Sequence, residues 1–238
     1  RLVGMVDALE RKILALHERR TPWLVVVVAR IFLAFAFVPA GLKKVLGEPF
    51  TDPGKTGAFH EFLHAFHATG GFYSFVGGVQ LFAAALLLSQ RFASVGAALF
   101  APILSVILVF CWSTAVYPTA TVVTLMWLTL LALLGWDLDR WRALLRAPGV
   151  ARAARQAQPP PLDLRLWAGC GLGATGLYLL VCALTGEIYR PRGAEWSRPQ
   201  FYVFPLMLAL VVATWALDRA RWRQGLGGSG EESSPPGG

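Results

Sequence analysis

Apolar residues in this chain are gathered into long runs that short polar stretches separate. A helix that crosses the hydrocarbon core of a bilayer, which is roughly 30 Å thick, needs about 20 mostly apolar residues. The sequence therefore predicts an all-α membrane protein, a helical bundle of about six transmembrane helices. The predicted spans are residues 23–42, 72–88, 92–111, 117–136, 166–184 and 201–217.

The segments around these runs have different patterns. Residues 1–20 combine apolar positions at helical spacing with five cationic side chains, which predicts an amphipathic surface helix lying either on the membrane or on the protein itself. Residues 137–165 hold six arginines and three consecutive prolines, which is typical of a basic cytoplasmic linker. The predicted organisation is a four-helix unit at 22–136, two further helices at 166–217 and a disordered tail at 224–238.

The charge distribution agrees with this reading. Charged residues make up 15% of the chain, against about 25% in soluble domains. Of the 22 Lys and Arg residues, 15 fall in the segments that would share one side of the membrane with the N-terminus, and 6 fall in the loops on the other side. This bias predicts that both termini are cytoplasmic. The net charge of +8 thus indicates topology rather than binding of nucleic acid.

Arg30 is the one basic residue inside a predicted span, 7 residues beyond Trp23. A charge at such a depth costs about 2.5–3.5 kcal/mol, so it needs a partner, water or a path to the interface. Gln80, eight residues before the end of the second span, is expected at nearly the same depth and is the predicted hydrogen-bond partner. Two interpretations remain open: a polar pocket for an anionic or quinone-like headgroup, and a structural contact that holds two helices together.

Three histidines follow one another at helical spacing in the first outer loop. His60, His64 and His67 form part of an amphipathic segment at 57–68, and His60 to His64 spell H-E-x-x-H with Glu61. On a helix such a pair is able to ligate zinc, with the glutamate as general base. Nothing nearby supplies the supporting residues that a zinc site requires, so an interfacial helix with solvated histidines is the favoured interpretation.

A glycine-rich stretch in the fifth span matches G-x-G-x-x-G from Gly171 to Gly176. A dinucleotide site requires this motif between a strand and a helix, and here it lies in the middle of an apolar run. The same stretch places Gly169 and Gly173 on one helix face, which allows another helix to approach closely. The sequence therefore predicts a packing helix, either within the bundle or between two copies of the chain.

The first span resembles the first helix of the DoxX family of small bacterial membrane proteins. Members of that family carry an arginine, a glycine eleven residues later and a lysine fourteen residues later, and Arg30, Gly41 and Lys44 occupy these places. A short F-x-x-F-L segment follows in the family, where this chain has Phe59, Phe62 and Leu63.

The second helix of the family has G-x-x-E before a leucine-rich run. Here Gly77 is followed by Gln80, so a neutral amide stands where glutamate is expected. The resemblance covers about residues 22–136 and implies a four-helix core to which two helices are added. Some family members are similar to the small subunit of thiosulfate:quinone oxidoreductase, and others are linked to membrane oxidoreductase complexes for thiol and oxidative stress.

Three functional hypotheses follow. The first is an accessory or anchor subunit of a quinone-linked membrane redox system, without independent catalysis, in which Arg30, Gln80 and Lys44 line a polar site and an oxidoreductase is the partner. The second is a small-solute transporter or channel, against which the sparse polar residues and the lack of Asp or Glu within the spans count. The third is a membrane metalloprotease built on the three histidines.

Overall fold

The computed structural model describes residues 16–138, 140–141, 162–189 and 197–228. Six helices in these ranges are long and apolar enough to cross a membrane, which confirms the predicted all-α membrane bundle. The helices are α1 (Arg20–Val45), α2 (Ala58–Ala68), α3 (Gly71–Leu88), α4 (Ala93–Ser113), α5 (Tyr117–Trp136), α6 (Leu164–Thr185) and α7 (Val203–Gly228, preceded by a 3₁₀ turn at Pro199–Tyr202).

The four-helix core is a closed ring of neighbours. Helix α1 packs along α3, α3 along α4, α4 along α5, and α5 returns to α1. Helices α6 and α7 pair with each other, and α6 also contacts α1 and α3. The short helix α2 lies over the end of α4, where Phe59 and Phe62 approach the ring of Phe110 at centroid distances of 5.2 and 4.6 Å.

Two helices differ from their predicted spans by three residues or more at one or both ends. Helix α1 runs from Arg20 to Val45, so it extends three residues beyond the predicted span at each end. Helix α7 continues to Gly228, which lies within the segment predicted as the tail. The surface helix predicted at 1–20, the linker and the remaining tail lie largely outside the described residues.

Glycines set the closest helix contacts. A Cβ atom on Gly77 of α3 would lie 2.7 Å from the carbonyl oxygen of Gly41 on α1, and one on Gly96 of α4 would lie 2.7 Å from the carbonyl oxygen of Ala83 on α3. Only glycine permits backbones to approach this closely. These contacts fix the register of α1 on α3 and of α3 on α4.

Helix α6 also uses a glycine, but a different one from those predicted. A Cβ atom on Gly171 would lie 2.7 Å from Leu88 Cδ2, whereas one on Gly173 would make an ordinary contact with Leu210 and one on Gly169 would meet nothing within 4 Å. The packing of α6 on the core therefore runs through Gly171.

Asp218 ties the last two helices to the first. Its side chain, on α7, accepts a hydrogen bond from Arg20 of α1 and, at 3.0 Å, from the backbone N–H of Asp163. Asp163 in turn caps the N-terminus of α6, where its carboxylate accepts from the N–H groups of Arg165 and Leu166. One buried carboxylate thus joins α1, α6 and α7 at one end of the bundle, which we call the Arg20 face.

Replacing Asp218 with asparagine is expected to loosen α6 and α7 from the core. The buried Asp218 carboxylate, 3% exposed, would become an amide that attracts Arg20 less strongly. We expect a loss of about 1–3 kcal/mol in the free energy of unfolding. The measurement is thermal unfolding in detergent. Arg221→Gln is the control, since it removes the exposed pair with Asp163 and should change stability by less than about 1 kcal/mol. Equal effects of both variants would contradict this assignment.

Candidate functional site

Arg30 lies inside the bundle with 1% of its surface exposed. It belongs to the α1 face that carries Val27, Ile31 and Ala34, all of them buried. A cation in such surroundings loses its hydration, so it persists only where anionic or polar groups replace the water. The structure supplies these groups from three other helix ends.

Asp137 is the anionic partner. It follows the last residue of α5 directly, and its Oδ2 accepts a hydrogen bond from Arg30 Nη2 at 3.0 Å. The carboxylate is 2% exposed. Its other oxygen, Oδ1, lies 3.1 Å from Arg140 Nη1, and the same nitrogen donates to Ser94 Oγ at 3.2 Å. One carboxylate thus bridges two guanidinium groups, one buried and one at the surface.

Gln90 is the second partner, and its backbone is unusual. It occupies the turn between α3 and α4 with φ of 57°, in the left-handed region that non-glycine residues rarely adopt. Its side chain is buried, and Oε1 accepts a long hydrogen bond of 3.5 Å from Arg30 Nη1. The strained turn therefore directs an amide oxygen towards Arg30 and brings the α3–α4 hairpin into the cluster.

The predicted hydrogen bond between Arg30 and Gln80 is not formed. Gly41 lies against Gly77 in the antiparallel α1–α3 pair, so Gln80 is level with Val38. Val38 lies eight residues, or about 12 Å, from Arg30 along α1. Gln80 is 2% exposed, and its Oε1 has no hydrogen-bond partner among the described residues. The prediction failed because α1 extends beyond the end of α3, which places Arg30 level with Leu88 and Gln90.

Lys44 lies near the opposite end of α1. It is separated from Arg30 by 14 residues, which corresponds to about 21 Å of helix. Its Nζ donates to the carbonyl of Ala40 at 3.1 Å and lies 4.5 Å from the centre of the Phe50 ring and 5.8 Å from that of Tyr73. The three residues predicted to line one polar site thus occupy three different depths and do not meet.

The sequence alone does not single out Asp137, because this residue falls at the start of the predicted linker. A signal was available: a buried arginine requires an acid, and few acids lie within one turn of the ends of the spans on that side. Asp137, Asp163 and Asp218 are such residues, and two of them pair with arginines of α1. To choose the partner of Arg30 among these acids, one needs the depth of Arg30 relative to the ends of the other helices.

The three histidines of α2 point to three different places in the preceding loop. His60 Nδ1 shares a hydrogen bond of 2.6 Å with Thr51 Oγ1. His64 Nε2 donates to the carbonyl of Lys55 at 3.2 Å, and His67 Nε2 donates to the carbonyl of Gly47 at 2.9 Å. In the part of the chain that the structure describes, no group of three His, Cys, Asp or Glu residues is arranged to hold a metal ion. The imidazoles instead fasten the loop to α2.

The Arg30 cluster is therefore a packed set of polar contacts between α1 and the ends of α3, α4 and α5. Arg30, Asp137 and Gln90 are all buried, whereas Arg140, at 46% exposure, extends the cluster to the surface. Such an arrangement positions helices and neutralises a buried charge. Comparison with protein-family models, with curated proteins and with solved structures finds no match to this chain.

Proposed function

We propose that this chain is an accessory or anchor subunit of a quinone-linked membrane redox system, similar to the DoxX family in its first four spans. The observation that carries the proposal concerns the three residues that match the DoxX pattern. Each of them makes or permits contacts between or within helices. Arg30 joins α1 to the ends of α5 and α3, Gly41 permits the close α1–α3 contact, and Lys44 bonds within α1. A rigid bundle of this kind suits a subunit that holds a partner in the membrane.

The quinone chemistry of the proposed system belongs to the partner. Arg30, Gln80 and Lys44 do not fit a single headgroup, because about 21 Å of α1 separates Arg30 from Lys44. No step of a redox reaction is therefore assigned to these residues. If these residues bound quinone directly, added quinone would protect the isolated chain against thermal unfolding.

We further propose a bacterial inner-membrane location with the Arg20 face in the cytoplasm, supported by the excess of Lys and Arg in the segments on that side. We also propose that a second copy of the chain packs against α6 at Gly169. Gly169 is exposed, and an added Cβ there would meet nothing within 4 Å. An oxidoreductase subunit and a second copy are the partners that the proposal includes.

The test is a mild-detergent purification of the tagged chain from its native membrane, with mass spectrometry and an optical spectrum of the eluate. We expect an oxidoreductase with a flavin or haem absorbance to co-purify in fixed ratio. An unrelated tagged membrane protein from the same cells, at equal expression, is the control for adventitious capture.

A colourless eluate without a partner would contradict the proposal. The purified chain would then be placed in liposomes and assayed for flux of small solutes. Flux above that of empty liposomes would support the transporter hypothesis instead. The side chains of Arg30 and Gln80 are buried, so they do not line a polar path for a solute, and the structure gives no support to the transporter hypothesis.

A further inference from the structure

A cationic cleft opens on the Arg20 face between the start of α1 and the last turns of α7. Its volume is about 290 Å³. The residues that line it include three arginines, two tryptophans and an apolar residue, namely Arg20, Arg219, Arg223, Trp215, Trp222 and Leu24. It lies apart from the Arg30 cluster, whose partners come from α3, α4 and α5.

The charge in this cleft is positive and only partly neutralised. Among the residues that the structure describes, no acidic side chain lines it. Asp218, which pairs with Arg20 beside the cleft, is 3% exposed and also accepts from the backbone N–H of Asp163. Arg20 uses Nη2 for that contact, and its Nη1 is buried with no hydrogen-bond acceptor among the described residues. A guanidinium with an unused donor beside further cations favours an anion with several oxygen atoms.

The tryptophans hold two of these arginines in place. The guanidinium of Arg219 lies 5.4 Å from the centre of the Trp215 ring, and that of Arg20 lies 5.2 Å from the Trp222 ring. Tryptophan is enriched where the headgroups meet the hydrocarbon, because its ring is apolar and its N–H is polar. We therefore expect the cleft to lie at the depth of lipid headgroups.

An apolar stripe continues from the cleft towards the middle of the membrane. Leu208, Val212 and Trp215 precede Arg219 at spacings of four, three and four residues, so all four lie on one face of α7. Leu208 and Val212 are 55% and 54% exposed. A headgroup in the cleft would thus have a surface along which its acyl chain extends.

We propose that this cleft binds the phosphate of an anionic phospholipid. The arginines contact the phosphate oxygens, Trp215 and Trp222 flank the headgroup, and the exposed face of α7 receives the chain. Basic pockets between transmembrane helices bind acidic headgroups through this chemistry. A soluble phosphate ester offers the same oxygens but has no acyl chain, so the two sources differ in their use of the α7 stripe.

The experiment compares lipid binding by native mass spectrometry of the full chain in detergent, with phosphatidylglycerol and phosphatidylcholine as probes. The test variant is Arg219→Gln with Arg223→Gln. The matched control is Arg91→Gln with Arg165→Gln, which removes two exposed arginines of the same face outside the cleft. Glycerol phosphate is added as the competitor that lacks acyl chains.

The wild-type chain is expected to retain phosphatidylglycerol in preference to phosphatidylcholine. The test variant should lose about 25-fold in affinity, since each interfacial arginine contributes about fivefold. The control should lose less than about fivefold. Equal losses in the two variants, or no preference between the two lipids, would overturn the proposal. Competition by glycerol phosphate at the same concentration as the lipid would also overturn it, since the ligand would then be a soluble anion.

Discussion

Replacing Asp137 with asparagine is expected to lower the free energy of unfolding by about 3 kcal/mol or more. The variant keeps the shape of the side chain but removes the charge that neutralises Arg30, which is 1% exposed. Breaking a buried ion pair on one side leaves an uncompensated charge in a medium that solvates it poorly. The loss should exceed that of an ordinary hydrogen bond, because Arg140 loses the same partner.

The measurement is reversible unfolding in mixed micelles, or thermal unfolding in detergent where reversibility fails. Asp52→Asn is the matched control, because it removes the carboxylate of an exposed pair, with Lys55 at 3.7 Å, in the outer loop. That control should change stability by less than about 1 kcal/mol. A stable Asp137→Asn protein would contradict the account, since Arg30 would then be solvated by some other route.

Replacing Gly77 with alanine is expected to have the second large effect, a loss of about 1–3 kcal/mol through overpacking. The added Cβ would lie 2.5 Å from Lys44 Cβ and 2.7 Å from the carbonyl oxygen of Gly41. The second of these atoms belongs to the backbone of α1, so the two helices must move apart. Separation of α1 and α3 would also disturb the contacts of Lys44 with Ser74, whose Oγ donates to the Lys44 carbonyl.

Gly78→Ala is an adjacent control in the same helix. A Cβ at Gly78 would meet nothing within 4 Å, so only the helix propensity changes. That change favours alanine by about 0.8–1 kcal/mol. Thermal unfolding of the two variants side by side should therefore give shifts of opposite sign. A loss at Gly78 equal to that at Gly77 would show that the α1–α3 contact is not where the structure places it.

The helices were predictable because the length of an apolar run is enough to identify a transmembrane segment. Tyr117–Trp136 has the predicted bounds, and Gly71–Leu88 and Ala93–Ser113 differ by at most two residues at either end. The end of α7 was not predictable from the apolar run, because the helix continues past it to Gly228. Composition alone does not show where a helix ends once it has left the hydrocarbon.

The candidate site was predictable only in part. Arg30 is identifiable from sequence, because a cation within an apolar run has a high cost wherever its partner lies. Whether Arg30 meets Asp137 or Gln80 depends on the register of α1 against α3. The Gly41–Gly77 contact sets that register. Two glycines on one helix, such as Gly169 and Gly171, differ in the face they occupy, and the sequence does not say which face meets a neighbour.

Whether Arg30 and Asp137 act as a structural pair is tested most directly by a comparison of single and double variants. The stability of Arg30→Met with Asp137→Leu is compared with that of each single variant. Replacing both members of a buried ion pair with apolar residues is often close to neutral, whereas removing one is costly. The double variant is therefore predicted to recover most of the stability that either single variant loses. Losses that simply add in the double variant would contradict the pairing and would return Arg30 to the role of a ligand-binding residue.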